Sequence, residues 1–455
     1  MEGFFHAVTL DADKCKGCTN CIKRCPTEAI RVRNGKAVIS TERCIDCSMC
    51  IRVCPYHAKK AKSDPINIIN NYKYKIALPA PTLYGQFNNL DDIDIVLTGL
   101  KHMGFDKIFE VSRAAEIISE ATRKLMNEGK LTRPVISSAC PAVVRLIRVR
   151  FPDLCNHVLP VHSPMEAAAR MAKIETVKET GLDINDIGCF FISPCAAKVT
   201  DVRMPIGYEK SWVDAVLSIS DVYPQLLSKM NKITETEQLS HSGIIGVSWA
   251  NIGGESAALL NEKYLAADGI ENVIRVLEEM EDDRLNEVDF IELNACYGGC
   301  VGGIFTIENP YVARARIQRL RKYLPVSCNH LSGDVPDGLK WTSELEYSPV
   351  MKLADNVVEA MSLMNEIDRI TEDMPGLDCG ACGAPTCKAL AEDIVRGVAK
   401  ESDCIFKLRE KFNSFAQQFN KFEGYLSQTP SRLKEDDSKG KESSQNDSYS
   451  AYEGT

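Results

Sequence analysis

The chain has 455 residues, of which 44% are hydrophobic and 26% charged, and a formal net charge of -9. This length suits about two to four domains, and the composition is ordinary for a globular protein. The acidic balance argues against a sequence-independent nucleic-acid binder, which needs a basic face. No apolar run of about 18 residues could span a bilayer, and residues 1–6 lack a signal-peptide pattern, so we expect a cytoplasmic protein.

Nineteen cysteines are far more than packing requires. Because the cytoplasm keeps thiols reduced, cysteines at this density indicate metal or redox chemistry. They fall into three groups, near the start, in the middle and near the end of the chain.

Residues 1–65 begin with a short predicted strand at 7–10 and contain a repeated cysteine motif. The motif C-x2-C-x2-C-x3-C-P occurs at Cys15, Cys18, Cys21 and Cys25, and again at Cys44, Cys47, Cys50 and Cys54. In this arrangement the fourth cysteine of each run ligates the other cluster. One 4Fe–4S cluster is therefore predicted on Cys15, Cys18, Cys21 and Cys54, and a second on Cys25, Cys44, Cys47 and Cys50. A zinc site is the alternative, but two copies of the motif favour a bacterial-type ferredoxin domain.

From residue 74 to 365, apolar runs of strand length alternate with amphipathic helices. The predicted strands are Tyr74–Leu78, Val135–Ser138, Cys189–Ser193, Gly243–Ser248 and Phe290–Leu293, and the predicted helices include Ser163–Glu175 and Ser256–Glu262. This alternation predicts an α/β domain with largely parallel sheets.

Four cysteines of this domain, Cys140, Cys195, Cys296 and Cys300, lie after the ends of three predicted strands. Parallel sheets bind ligands at the carboxyl ends of their strands, so a shared site is expected there. The glycines around Cys300, including Gly302 and Gly303, would let the backbone approach a bulky inorganic group. Lys198 could donate a charge-assisted hydrogen bond to an anion. The alternative is that the four cysteines are small core residues. We prefer that interpretation for the three other cysteines of this domain, Cys155, Cys189 and Cys328.

The third group, in residues 370–426, is Cys379, Cys382, Cys387 and Cys404, with the spacing C-x2-C-x4-C-x16-C. Small apolar residues between the thiols favour a 4Fe–4S cluster over zinc. A helix over 405–426 follows, with Phe406, Phe412, Phe415, Phe419 and Phe422 at near-helical spacing, as expected for packing or for a homodimer contact. Residues 428–455 are predicted to be disordered.

The three middle motifs resemble those of the iron-only (FeFe) hydrogenases. The resemblance implies an α/β hydrogenase domain carrying an H-cluster, between an N-terminal ferredoxin-like domain and a small C-terminal 4Fe–4S domain. It implies a 4Fe–4S cube on Cys140, Cys195, Cys296 and Cys300, with Cys300 bridging to a two-iron subcluster that carries CO, cyanide and an azadithiolate. Lys198 matches the lysine that binds a cyanide, and Pro79, Ala80 and Met165 match positions lining the diiron pocket. Gly253–Glu255 resembles a further segment of the family, and hydrogenase maturation factors would supply the diiron unit.

The chain departs from highly active members of that family at four positions. Ala139 stands where they carry the proton-donating cysteine, Met165 where they usually have Gln, and Ser193 and Asn294 where they have Met. Because a positioned proton donor is typically worth about 10²–10⁴ in rate, turnover should be slow unless Glu255 or Cys155 substitutes. This combination resembles the sensory hydrogenases of the group D type.

Three functions are compatible with these residues. The first is an H2 or redox sensor of low activity, in which four 4Fe–4S clusters pass electrons to a ferredoxin-like or signalling partner. The second is a catalytic hydrogenase coupled to ferredoxin. The third is a non-catalytic iron–sulfur scaffold or electron carrier, similar to hydrogenase-like cluster-assembly proteins. No nucleotide- or flavin-binding fingerprint is present, so direct NAD reduction is not expected.

Overall fold

The computed structural model describes residues 5–350 and 352–427, so the predicted disordered tail, 428–455, lies outside the described residues. The chain divides into two units, with the boundary between Ala399 and Lys400. The finer domain boundaries predicted at 65, 74, 365 and 370 stay predictions. Within the described ranges, no helix is both long enough and apolar enough to cross a membrane.

The first unit contains every strand of the described chain and all but one of its α-helices. The strands are β1 Val8–Leu10, β2 Ile30–Arg33, β3 Lys36–Ile39, β4 Lys59–Ala61, β5 Tyr74–Pro79, β6 Lys107–Ile108, β7 Val135–Ile136, β8 Ile187–Ser193, β9 Ala215–Ser218, β10 Tyr264–Asp268 and β11 Phe290–Asn294. The helices are α1 Asn20–Lys23, α2 Met49–Arg52, α3 Ile93–Lys101, α4 Val111–Asn127, α5 Pro141–Arg150, α6 Pro164–Thr180, α7 Ala196–Arg203, α8 Ile219–Met230, α9 Ile244–Ser248, α10 Gly254–Ala258, α11 Ile270–Glu281, α12 Pro310–Leu320, α13 Val357–Asp373 and α14 Cys387–Val395. The second unit contains α15, Ile405–Ser427.

The N-terminal part consists of two small antiparallel strand pairs, β1 with β4 and β2 with β3. Asn34 and Gly35 join β2 to β3, and both have positive φ, as a tight two-residue hairpin turn requires. The short helices α1 and α2 each carry the third cysteine of one motif, Cys21 and Cys50. The internal repeat of the sequence is therefore also a repeat of strands and helices.

The middle part contains two parallel sheets, with strand orders β6-β5-β8-β9 and β10-β11-β7. Every residue of β8 is buried, as expected for a central strand covered on both faces. Helix α6 packs on the first sheet and α4 packs on α6, and the buried alanines of both helices allow a close approach. The predicted α/β class with largely parallel sheets is confirmed.

One predicted strand is wrong. Residues 243–248 contain the helix α9, which lies against α4. A short apolar run fits a buried helix as well as a buried strand, so its periodicity could not separate the two. A Cβ on Gly246 would lie 2.0 Å from the carbonyl oxygen of Ser112 in α4, which explains why glycine stands in this contact. The helix predicted at 256–262 is α10, which begins earlier and ends at Ala258.

The ends of three strands lead into the cysteines of the middle group. Cys140 and Cys195 occupy the N-cap positions of α5 and α7, shortly after β7 and β8. Cys296 follows β11 by two residues. A helix N-terminus favours negative charge, so this geometry suits thiolates.

Candidate metal centre

A cavity of about 100 Å³ lies where these three strands end. Its wall contains all four predicted ligands, Cys140, Cys195, Cys296 and Cys300, together with Lys198. The rest of the wall is mainly apolar. The structure thus brings together four thiols that come from three separate segments of the sequence.

The surroundings of these thiols disfavour four free thiolates. Burial raises the pKa of Cys195 well above its usual value, and the thiols of Cys296, Cys140 and Cys300 add to the rise. Burial also raises the pKa of Cys296, and it raises the pKa of Cys300, which is accessible from the cavity, to about 12. Several thiolates so close together need a cationic group to neutralise them. The donor set therefore fits an iron–sulfur cluster.

Lys198 supplies a second test of the fit. Its Nζ is buried and has no hydrogen-bond partner among the described atoms, and the nearest carboxylate, that of Asp201, lies 3.6 Å away. The ion pair with Asp201 leaves this buried ammonium without a hydrogen bond, which is costly, so an anionic group in the cavity would satisfy it. The residues present fit a negatively charged ligand attached to the four-cysteine cluster.

A buried polar network lies behind the wall. Ser137 donates a 2.7 Å hydrogen bond to Glu255, and the Ala139 amide donates to the Ser137 hydroxyl at 3.1 Å. Glu292 accepts hydrogen bonds from the amides of Gly253 and Ser256 at 3.0 and 2.9 Å. Burial raises the pKa of both glutamates, and the charge of Glu292 raises that of Glu255 further.

Five of the remaining predicted site residues also line the cavity. They are Ala80, Ala139, Met165, Asn294 and Gly303. The Asn294 amide donates a 3.2 Å hydrogen bond to Glu292, so it connects the cavity wall to the glutamate pair. The position of Ala139 leaves a methyl group in the wall.

Three predicted residues, Pro79, Ser193 and Gly302, are not part of the wall. The Ser193 hydroxyl instead accepts a 3.0 Å hydrogen bond from the amide of Cys195, which orients that cysteine. A Cβ on Gly302 would lie 2.0 Å from the carbonyl oxygen of Tyr297, and a Cβ on Gly303 would lie 2.1 Å from that of Pro194. These glycines are needed where backbone packs on backbone. Their expected role in the approach to an inorganic group stays a prediction.

Sequence reasoning missed several apolar residues of the wall. Among them are Val111 and Ala115 of α4, Phe191 of β8 and Trp249, which follows α9. The indole nitrogen of Trp249 donates to Ser119 at 3.0 Å, which fixes the ring at the cavity. None of these residues lies in a cysteine motif. The sequence offered only one indication of them, their closeness to the ends of strands and helices. For Trp249 even this was hidden, because residues 243–248 were predicted to be a strand and are a helix.

The eight N-terminal cysteines lie in the two predicted groups. Cys25, Cys44, Cys47 and Cys50 surround a small cavity of about 20 Å³. Burial raises the pKa of Cys21, and the nearby thiols of Cys18, Cys15 and Cys54 contribute to that rise. The amides of Ala29 and Ala58 lie 3.2 and 3.3 Å from the sulfurs of Cys25 and Cys54. Such N–H···S contacts help to set the potential of an iron–sulfur cluster.

Two contacts join the ferredoxin-like part to the four-cysteine cavity. Arg52 of α2 donates a hydrogen bond to the carbonyl oxygen of Gly302. The buried carboxylate of Asp46 accepts hydrogen bonds from the amides of Ala7 and Val8 and from the hydroxyl of Thr200 in α7. Burial raises the pKa of Cys47, with a smaller contribution from the thiol of Cys25. The thiol of Cys296 in the cavity wall also contributes to this rise, so Cys47 lies close to the cavity.

The segment with Cys379, Cys382 and Cys387 packs on β2 and α1 of the ferredoxin-like part. Asp393 of α14 is paired with Arg31 and Arg33 of β2. The amide of Val32 donates a 2.8 Å hydrogen bond to the carbonyl oxygen of Gly383, and Arg33 donates to that of Cys382 at 3.3 Å. Gly380 lies against α1, because a Cβ there would be 3.4 Å from Ile22. Cys404, the fourth predicted ligand, belongs to the second unit, where it is buried just before α15.

Family models match all three cysteine-rich regions. "Iron only hydrogenase large subunit, C-terminal domain" matches residues 73–264 and 225–304, and together these cover just over half of the chain. A "4Fe-4S dicluster domain" matches residues 7–55, and a model for an Fe–S cluster matches residues 374–406.

Individual proteins show a weaker similarity. "Iron hydrogenase 1" of Clostridium pasteurianum is 24% identical over 371 residues, which cover 65% of this chain and 64% of that protein, so the chain spans a little under two thirds of that relative. "Cytosolic Fe-S cluster assembly factor NAR1" of Scheffersomyces stipitis is 26% identical over 206 residues, 39% of this chain and 38% of that protein. A variant of the FeFe-hydrogenase HydA1 of Chlamydomonas reinhardtii has a TM-score of 0.45 at 16% identity, covering 64% of this chain and 97% of that chain.

The family model covers the α/β domain that holds the four-cysteine cavity, and the two other models cover the cysteine-rich segments on either side of it. Iron–sulfur cluster binding by this chain is supported by all three. The expected combination of an α/β hydrogenase domain with an N-terminal ferredoxin-like domain and a C-terminal iron–sulfur domain is confirmed. The chain belongs to the iron-only hydrogenase family.

Proposed function

We propose that this chain is a hydrogenase of low turnover that reports on H2 or on redox state, as in the sensory group D type. The H-cluster predicted on Cys140, Cys195, Cys296 and Cys300, when bound, would supply reversible oxidation of H2 to protons and electrons. The protein's own residues would then hold the cluster, receive the proton and pass on the electrons.

The observation that carries this proposal is the set of titratable groups in the cavity wall. Apart from the four thiols and Lys198, the wall contains no residue with a titratable side chain. The position where active family members carry the proton-donating cysteine is occupied by Ala139, whose methyl group cannot donate a proton. A missing donor slows a proton-transfer step by about 10²–10⁴. A slow site suits a sensor, which needs equilibrium with H2 rather than flux.

Glu255 is the group best suited to hold the proton near the cavity. Its carboxyl is 5% exposed, and burial and the charge of Glu292 raise its pKa, so it binds a proton readily at neutral pH. Ser137 connects it towards the wall through the 2.7 Å hydrogen bond. Among the described residues, the hydrogen bonds that reach the wall from this network come from the backbone amide of Ala139 and the side-chain amide of Asn294. Neither amide releases or accepts a proton readily, which fits a slow last step.

The arrangement of the cysteine groups supports a single electron route. The group around Cys47 lies beside Cys296 of the cavity, whereas the segment around Gly380 packs against α1 beside the group of Cys21. We propose four 4Fe–4S clusters, with electrons passing from the cavity through the two ferredoxin-like groups to the C-terminal segment. The receiver would be a ferredoxin-like electron partner or a signalling protein.

A non-catalytic iron–sulfur scaffold is the second candidate, favoured by the similarity to the assembly factor of Scheffersomyces stipitis. Lys198 opposes it, because a buried ammonium without a hydrogen bond is costly in a protein that binds no anionic group. A ferredoxin-coupled catalytic hydrogenase is the third possibility, and its turnover would be that of the active family members.

One experiment separates the three functions. The protein is loaded with the diiron unit by the maturation factors, and infrared bands of bound CO and cyanide are recorded with and without H2, followed by H2 uptake and evolution rates. The sensor proposal expects the bands, a spectral response to H2 and slow turnover. Absent bands would support the scaffold, and rates like those of active members would support the catalytic hydrogenase. Either result would overturn the sensor proposal.

A further inference from the structure

The helix α15 has a heptad pattern. Six of its apolar residues follow one another at steps of alternately three and four positions, at Ile405, Leu408, Phe412, Phe415, Phe419 and Phe422, whereas Phe406 and Ala416 lie beside this stripe. A mean spacing of 3.5 residues keeps a stripe of side chains facing a second helix, as in left-handed coiled coils. A helix packed on a globular domain has a wider apolar face, with a period of 3.6.

This stripe is exposed. Phe412 and Phe415 are 65% and 66% exposed, and Phe419 and Phe422 are 55% and 62% exposed. The outer positions between them are polar, for example Gln417 and Asn420. A row of exposed phenylalanines beside polar residues is typical of a surface that binds another protein.

We propose that two copies of the chain associate through α15, as an antiparallel two-stranded coiled coil. In the register we infer, Phe412 of one chain faces Phe422 of the other, and Phe415 faces Phe419. The pairing is reciprocal, so both helices use the same surface, as a two-fold symmetric dimer requires. The proposal is independent of whether the protein binds the diiron unit.

Charge complementarity determines the direction. In the antiparallel register, the positions beside the seam place Arg409 of one helix opposite Glu423 of the other, and the symmetry repeats this pair. In a parallel dimer, Lys411 would face Ala416 and Gln418 would face Glu423, so no opposite charges would meet. Residues beside the seam select the partner and its orientation in coiled coils. An antiparallel pair therefore fits this sequence better.

The apolar area is sufficient for a specific interface. A phenylalanine side chain buries about 150–250 Å² when enclosed, so four of them with roughly 60% still exposed offer about 500 Å² per chain. Leu408, which is 38% exposed, extends the same stripe, whereas Ile405 lies beyond the overlap of the two helices in this register. The phenylalanines and Leu408 therefore supply roughly two thirds of the about 800 Å² per partner of a standard interface, and the residues beside the seam add to it.

The first test measures the molar mass of the full chain by light scattering and sedimentation over a range of concentrations. We expect a dimer for the unmodified protein and at least a tenfold higher dimer dissociation constant for F415E/F419E. The matched control, Q417E/N420E, adds the same charge to the outer face of the same helix and should remain dimeric. Helix content and cluster absorbance show that each variant is folded. A monomeric unmodified chain, or a dimer that survives F415E/F419E, would overturn the proposal.

The second test fixes the orientation. In the antiparallel dimer, Arg409→Glu places a glutamate opposite Glu423 at both symmetry-related positions. The repulsion should weaken association several-fold. The double variant R409E/E423R exchanges the two charges and should restore association. In a parallel dimer these residues lie about 20 Å apart along the helix and the exchange would have no such effect. Equal weakening in the single and double variants would reject the antiparallel arrangement. Association with another protein in place of self-association would appear as a monomer in the first test.

Discussion

Ser137 and Glu255 form a 2.7 Å hydrogen bond just behind the wall of the four-cysteine cavity, in a part of the protein with almost no access to water. The hydroxyl donates to a carboxylate whose pKa burial has already raised. The pair therefore keeps a proton close to the proposed site of H2 chemistry. Neither residue belongs to a cysteine motif.

Glu255→Gln should lower H2 uptake and evolution by about 10²-fold or more, because amides neither release nor accept the proton. A carboxyl with a raised pKa stays protonated below that pKa and loses its proton above it. The activity of the unmodified protein should therefore change as the pH rises through the pKa of Glu255. The activity of the variant should show no such change over the same pH range. Infrared bands of bound CO and cyanide report whether the site remains loaded.

Glu110→Gln is the matched control for that variant. Glu110 is another buried carboxylate with a raised pKa, hydrogen-bonded to Tyr84 and His241, and it does not line the cavity. We expect it to keep its activity per loaded site. Equal losses in both variants would mean that Glu255 acts only through the fold.

Ala139→Cys alone should raise turnover by less than about tenfold. The new thiol would enter the cavity, but it would need another group to return its proton. The wall has no titratable groups besides Lys198 and the cluster ligands, and Ser137 and Glu255 lie behind the wall. A relay is as slow as its slowest step, so one donor without a source contributes little. Turnover rates of the matured variant and of Ala139→Ser, its matched polar control, check this. A rise of 10²-fold in the cysteine variant would show that Ala139 alone limits the reaction.

Lys198→Met should remove the anionic part of the bound cofactor while leaving the 4Fe–4S clusters. The side chain of Lys198 is the cation of the cavity wall, and its loss should lower the CO and cyanide bands at least tenfold relative to total iron. Lys173→Met is the control, because that buried lysine pairs with Asp214 at 2.7 Å and lies outside the cavity wall. Undiminished bands in the Lys198 variant would contradict the role assigned to Lys198.

Asp393→Asn should loosen the C-terminal cysteine segment from the ferredoxin-like part. The carboxylate is 9% exposed and pairs with two arginines, and breaking a buried pair of this kind typically costs about 3–5 kcal/mol. Limited proteolysis within residues 375–400 should become faster. Asp368→Asn, whose partner Lys388 is 3.8 Å away on the surface, should leave the rate unchanged.

Glu166 should make stability depend on pH. Burial raises its pKa to about 7, although Ser211 and the Trp212 amide donate hydrogen bonds that oppose the rise. Since the folded pKa lies above the unfolded one, the protonated form stabilises the fold at low pH, and this contribution disappears as pH rises through about 7. Between about pH 5 and pH 8 the unmodified protein should lose up to about 3 kcal/mol relative to Glu166→Gln. Thermal midpoints of both proteins at each pH measure this, and parallel pH profiles would contradict it.

Cysteine spacing predicted the metal chemistry because the ligands of each ferredoxin-type cluster are close in sequence, and those of the cavity follow the ends of parallel strands. The four thiols of the cavity could be assigned since Cys140, Cys195 and Cys296 lie within four residues of the end of a strand. The parallel sheets followed from fully buried apolar runs such as β8.

The rest of the site depends on contacts between distant segments. Glu255 and Ser137 are 118 positions apart, and no periodicity relates them. Trp249 was missed because α9 is too short and too uniformly apolar to be recognised as a helix. The glycines near Cys300 have a packing role that the sequence did not reveal, since Cβ atoms on Gly302 and Gly303 would meet neighbouring carbonyl oxygens.

The pairing of β2 with the C-terminal segment has a consequence for how the protein is made. The Val32 amide binds the carbonyl oxygen of Gly383, about 350 positions later in the chain, so the ribosome releases both N-terminal cysteine motifs long before their partner segment exists. Bringing such distant residues together is slow compared with forming local turns. The N-terminal motifs are therefore made well before β2 can pair with the C-terminal segment.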